Sequence, residues 1–141
     1  MKMKIKVKLD PGAYMPTRAH STDAGLDLYA MEKHLIPCND SMCFDTGVHV
    51  EIPAGYVGFL KSKSGLNVRF GITNEGVIDS GYTGSIMVKL YNHGEHYVEI
   101  EKGQKISQLV LLPIITPELE LVDSLEETDR GNGGFGSTGK F

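Results

Sequence analysis

Apolar and polar residues alternate along most of this chain with the period of a β-strand. Met3, Ile5, Val7 and Leu9 interleave with Lys2, Lys4, Lys6 and Lys8, which predicts a half-buried strand with a lysine face in water. Val48, Val50 and Ile52 alternate with His49 and Glu51; Ile86, Val88 and Leu90 alternate with Met87 and Lys89; Val98 and Ile100 alternate with Glu99 and Glu101. Gln108 to Ile115 is a more continuously apolar strand that stops before Pro117. Turn formers separate these runs: Leu9-Asp10-Pro11-Gly12, Pro53-Ala54-Gly55, Asn92-His93-Gly94-Glu95 and Glu101-Lys102-Gly103. Helical periodicity is brief, and Ser64 to Phe70 and Pro117 to Leu121 each have room for a turn or two. Short strands about ten residues apart predict an all-β sandwich or barrel such as a jelly roll.

No repeat or linker interrupts the pattern, so a single β domain is expected over residues 1–122. From Asp123 the alternation stops. An acidic spacer, Glu126-Glu127-Thr128-Asp129, leads into the glycine-rich Arg130 to Gly139, so residues 123–141 read as a spacer and a flexible tail. At 141 residues the chain fits one domain with a sizeable core, and 40% hydrophobic and 23% charged residues suit a soluble one. No apolar run has the length of a membrane span, and the lysine-rich start is not a signal peptide, so no membrane partner is expected. Cys38 and Cys43 form neither a disulfide framework nor a complete metal set, and read as ordinary thiols of a cytoplasmic protein. A net charge of −4 argues against a nucleic-acid polymer as the main partner but permits a small polyphosphate, which needs only a local positive patch. A terminal strand and a long tail exceed what one small sandwich covers, which points to exchange within a closed oligomer.

Five segments could carry chemistry. Asp27 sits between Leu26 and Leu28 on the face of Gly25 and Tyr29, as an edge decoration, a buried acceptor or a functional carboxylate. Lys63-Ser64-Gly65 opens the short helix, and either caps it or aims N–H groups, a hydroxyl and a mobile charge at an anion. Asn74-Glu75-Gly76-Val77-Ile78-Asp79 places a carboxylate just past a Val77-Ile78 pair expected to anchor the backbone in the core. So mounted, Asp79 could aim a water, and Tyr82 could offer a flat face to a sugar; a plain hairpin with a surface tyrosine is the other reading. Gln108, ahead of an apolar run, either caps a backbone group or donates to a ligand oxygen. The tail joins Arg130, suited to bidentate phosphate binding, to Phe135, which could stack on a base. A disordered terminus is the alternative, and the tail lacks the Lys-Ser/Thr and following helix of a P-loop.

In order and spacing these segments closely resemble the five signature motifs of the trimeric deoxyuridine triphosphatases, from Ala24 to the C-terminus. Gly76-Val77-Ile78-Asp79 with Tyr82 and Gly84, and Arg130 to Gly139, carry the likeness most specifically. The resemblance implies a jelly-roll or distorted-barrel homotrimer with three active sites shared at subunit interfaces. It implies Mg2+-assisted hydrolysis of dUTP to dUMP and pyrophosphate, which limits uracil incorporation into DNA and supplies dUMP. By motif, Asp79 activates the water and Asp27 holds the magnesium shell through waters. Lys63, Ser64, Gly65 and Gln108 meet phosphates, and Tyr82 packs on deoxyribose. Asn74, Gly76, Val77 and Ile78 lie in the hairpin that reads uracil through its backbone. Arg130 grips the outer phosphates, while Phe135, with Gly136 and Ser137, closes over the base. A regulatory protein partner is compatible with all of this. The chain departs from the pattern at Lys63 and Lys105, where arginine is usual, and at Ser107, where alanine is common. A dCTP deaminase and a non-enzymatic jelly roll are the competing readings.

Overall fold

The structure, a computed structural model, describes residues 2–141. Its elements are β1 (Lys6–Leu9), β2 (Gly25–Tyr29), β3 (His34–Ile36), β4 (Ser41–Asp45), β5 (Val48–Glu51), β6 (Tyr56–Lys61), α1 (Ser64–Phe70), β7 (Ile72–Thr73), β8 (Glu75–Ile78), β9 (Met87–Asn92), β10 (Val98–Ile100) and β11 (Lys105–Pro113). All pairings are antiparallel. A four-stranded sheet runs β2-β11-β6-β8 and a three-stranded one β4-β9-β7, with pairs β1-β5 and β10-β3 beside them. This is the expected all-β, jelly-roll-like fold, but among the described residues the sheets do not close into a barrel.

Alternation places the core. In β9, Val88 and Leu90 are buried while Met87, Lys89 and Tyr91 face out. Leu28, Ile36, Ile72, Ile86, Ile100, Ile106 and Leu109 join them with almost no exposure. Burying each such side chain contributes about 1.5–3 kcal/mol. Asn92, buried at the end of β9, donates to the Ile36 and His96 carbonyls at 3.0 and 2.9 Å and accepts from Gly94 N–H. It therefore leaves no polar atom unpaired.

Several boundaries differ from the pattern. The lysine-faced strand pairs only from Lys6, because its partner β5 offers four residues. β11 begins at Lys105 rather than Gln108 and ends at Pro113, after which Ile114 N–H donates to Gly55 O. Pro117 to Leu121 forms no helix. Ser64 to Phe70 does, and Gly71 ends it at φ 68°, a left-handed conformation that glycine adopts without a Cβ clash.

A carboxylate between two lysines and a second on an edge hairpin

One row of polar residues crosses the four-stranded sheet. The register pairs Asp27 with Gln108, Gln108 with Lys61, and Lys61 with Glu75. Directly paired residues share a face, so the row spans three interstrand spacings, about 14 Å. The Lys61 ammonium bonds Glu75. Asp27 is buried, as one of its three sequence readings required, and both its oxygens are engaged: Lys63 Nζ lies 2.6 Å from Oδ1 and Lys105 Nζ 3.2 Å from Oδ2. Burying a carboxylate unpaired is prohibitive, and these two ammonium groups offset that penalty. In return, the bond from Asp27 and its charge push the Lys105 ammonium above the ordinary lysine value. Strict alternation predicts burial on one face of β2 only; here Asp27 and Leu28 are both buried, since Lys63 and Lys105 cover the second face.

Gln108 lies over Gly25, where an added Cβ would come within 2.1 Å of its Oε1. Its Nε2 donates to the Ser62 carbonyl at 2.9 Å, fixing the backbone one residue before Lys63. Beneath it, Asn74 is buried and fully used. Its N–H donates to Ser62 Oγ at 3.0 Å, its Nδ2 to Ile106 O at 3.4 Å, and its Oδ1 accepts from Ser107 Oγ at 2.7 Å. The side chain of Asn74, expected in the base-reading hairpin, therefore braces the residue just before β8 against β11, while its backbone N–H ties it to Ser62. At the head of α1, Lys63 is the N-cap without a side-chain cap bond, while Ser64 and Gly65 are exposed. The first-turn N–H groups are thus uncapped by side chains, an arrangement that accepts an anion.

The second carboxylate lies elsewhere. Asp79 is exposed immediately after β8, four residues beyond Glu75 and hence about 13 Å along the strand from the Asp27 row. Ile78 is buried as expected, but Val77 is 59% exposed, contrary to the expected two-residue anchor. β8 is the edge strand of its sheet, and Val77 shares its outward face with exposed Glu75. Gly76 sits flush on Leu60, where a Cβ would be 2.8 Å from Leu60 Cδ1. Past Asp79 the chain turns, with Tyr82 N–H donating to the Asp79 carbonyl at 3.1 Å. The Tyr82 ring folds over Gly84 and its hydroxyl donates to Ser85 O at 2.8 Å, leaving the ring half exposed.

The tail joins neither region within this chain. Among the described residues, its hydrogen bonds are internal: Arg130 Nε to Gly133 O, Gly131 N–H to Thr128 Oγ1, and Ser137 N–H to Gly134 O. Phe135 is wholly exposed, and Gly136 follows it with φ 90°. Before the tail, Ile115, Leu119, Leu121 and Leu125 also stand almost fully in water. Nothing in the sequence pattern marks Lys105 as a partner of Asp27. A register irregularity between Lys105 and Ser107 turns it toward Asp27, and no residue pattern announces such a bulge.

The carboxylates present are too few to hold magnesium by themselves. Among the described residues no group of three His, Cys, Asp or Glu side chains converges on a point. Mg2+ retains waters and commonly takes one or two carboxylates plus phosphate oxygens, so Asp27 fits an outer, water-bridged role toward an ion arriving with a triphosphate. No helix of the described residues is long and apolar enough to cross a membrane.

Fold and site define a jelly-roll-like β protein with separated acidic and cationic elements suited to a phosphorylated ligand. The family profile matching residues 12–139 is dUTPase. A deoxyuridine 5'-triphosphate nucleotidohydrolase of Gloeothece citriformis (strain PCC 7424) is 44% identical over 141 residues, spanning 97% of this chain and 97% of that protein. A solved Staphylococcus bacteriophage 80alpha dUTPase variant with dUpNHpp superposes with a TM-score of 0.92 at 33% identity, over 99% of this chain and 100% of that one. A phage phi11 dUTPase variant of S. aureus, described for its coordination of a structural Mg(II) ion, gives 0.82 at 31% identity, over 89% and 100%. The chain belongs to the dUTPase family.

Proposed function

We propose that this chain hydrolyses dUTP to dUMP and pyrophosphate through attack of a water held by Asp79 on the α-phosphorus. The observation that carries the reading is the separation of two half-sites, each pre-built and each incomplete. Lys63, Ser64 and Gln108 gather beside Asp27 at one end of the sheet; Asp79 and Tyr82 project from the other. A homotrimer completes both. The edge hairpin of one subunit faces the Asp27 row of the next, and a third subunit lends its tail. The exposed Val77, Ile115, Leu119, Leu121 and Leu125 support such an assembly, since apolar side chains of this size favour a partner surface.

In that assembly Lys63, Ser64, Gly65 and Gln108 bind phosphate oxygens, and Lys63 exchanges its bond to Asp27 for one to the ligand. Lys63 supplies a point charge where the family usually has a planar fork, so it holds one oxygen at a time. The backbone of the hairpin at Gly76, Val77 and Ile78 reads the uracil edge by donor–acceptor order. Tyr82, fixed by its bond to Ser85, packs under the deoxyribose and crowds out a 2′-hydroxyl. Asp79 accepts a proton from the attacking water and orients its lone pair in line with the leaving pyrophosphate. Asp27 would hold the outer waters of a bound Mg2+, which would supply charge neutralisation at the phosphate oxygens. Arg130 grips the outer phosphates while Phe135, Gly136 and Ser137 cover the base, excluding bulk water. The free, exposed thiols of Cys38 and Cys43 suit a reducing cytoplasm.

The test is pyrophosphate release from dUTP, dCTP, dTTP and UTP, with and without Mg2+, run in isotope-labelled water. Mg2+-dependent release from dUTP alone is expected, with the label in dUMP and turnover lowered at least about 1,000-fold in Asp79→Asn. Ammonia release from dCTP, or label confined to pyrophosphate, would overturn the reading.

A further inference from the structure

The Asp79 loop has one fastening to the body that its own motif does not supply. His49 lies on the outer face of β5, between buried Val48 and Val50. Its Nδ1 is 2.7 Å from the Thr83 carbonyl and its Nε2 is 2.9 Å from Asp10 Oδ1. Both partners can only accept. A neutral imidazole has one N–H and satisfies one of them; an imidazolium has two and satisfies both. Among the described residues, the bond to Thr83 is the one hydrogen bond joining residues 79–84 to another element. The next fastening, Ser85 to Asp45, lies past Tyr82 and Gly84.

We propose that His49 is a positioning residue for the loop bearing Asp79 and Tyr82, its imidazolium clamping the Thr83 carbonyl against the Asp10 carboxylate. The inference rests on the assignment of Asp79 as the carboxylate that holds the water. The charges around the ring favour the protonated form. Asp10 faces it directly, and Asp45 lies on the far side of Gly47. Lys8, its cross-strand partner on β1, opposes it, while the neighbouring Lys6 and Glu51 pair with each other at 3.3 Å. The carbonyl of Thr83, then Asp10, raise the imidazole above its ordinary value. The ring borders a cleft of about 500 Å³ lined by Lys6, Lys8, Glu51 and Thr83, so solvent reaches it to exchange the proton. The sign follows: the clamp is complete below the ordinary imidazole pKa and loses one of its two bonds as pH rises through the raised value.

The experiment uses the full chain and follows the His49 ring by NMR titration, amide exchange of residues 79–84, and kcat and KM for dUTP against pH. In the parent, loop protection and kcat should fall together across the His49 titration, with KM little changed. Asp10→Asn keeps an acceptor but removes the charge, so the shared step should move to lower pH. His49→Phe should abolish the step and lower kcat about tenfold on its acid side. A kcat step persisting in His49→Phe, or loop exchange indifferent to His49 protonation, would overturn the clamp. Should His49→Phe fail to fold, the displaced step in Asp10→Asn still decides the matter. Should Asp79→Asn keep full turnover, the functional assignment fails, while the exchange data still report on the clamp.

Discussion

The row across the four-stranded sheet and the C-terminal segment carry the same kinds of residue with opposite fates. In the sheet every charge and amide has a partner: Asp27 has two lysines, Gln108 has the Ser62 carbonyl, and Asn74 has Ser62, Ile106 and Ser107. Beyond Ile114 the charges and large apolar side chains face water, and the bonds that form are local turns. The first region is held by packing and exists before any ligand. Any partner for the second would have to come from outside this chain, and its ordering entropy would be offset only at that encounter.

Removing residues from Arg130 onward is the sharpest way to break the comparison. We expect the melting temperature to hold within a degree or two and kcat/KM for dUTP to fall about 100-fold or more, equivalent to about 2.7 kcal/mol of barrier. Calorimetry and steady-state kinetics on one preparation check both; a lowered melting temperature would show that the tail belongs to the fold. Asn74→Ala inverts the pattern. Losing the side-chain amide removes the partner of the Ile106 carbonyl and one of the two acceptors of the Ser107 hydroxyl, so a destabilisation of about 1–3 kcal/mol is expected in urea unfolding. An unchanged midpoint would mean that water replaces the amide. Lys61→Ala sits at the small end. Its ion pair with Glu75 is exposed, so stability should change by no more than about 0.5 kcal/mol, and a larger loss would show cooperation along the row.

Much of this contrast can be read from residue order alone. Period-two alternation locates β5, β9 and β10, and Ser64 to Phe70 locates α1, because each signal is local. The end of apolar alternation foreshadows the unpaired tail. Other features depend on partners distant in sequence. Asn74 looks like a turn residue until Ser107 arrives from β11 to meet it. Val77 looks like core until β8 proves to bury only the face of Ile78, leaving Val77 beside exposed Glu75. Lys105 reaches Asp27 through a bulge, and His49 reads as one polar step in an alternating strand until Asp10 and Thr83 converge on it.

The grouping of Asp27 with Lys63 and Lys105 has a consequence for capture. One carboxylate against two ammonium groups leaves that trio one positive charge in surplus, which Asp23, near both lysines, partly offsets, on a molecule whose overall balance is −4. A polyanion drifting toward the protein would meet general repulsion and, at this spot, local relief from it. That spot acts as a funnel whose reach is the Debye length, about 8 Å at physiological ionic strength, and added salt shortens it without disturbing a single buried contact.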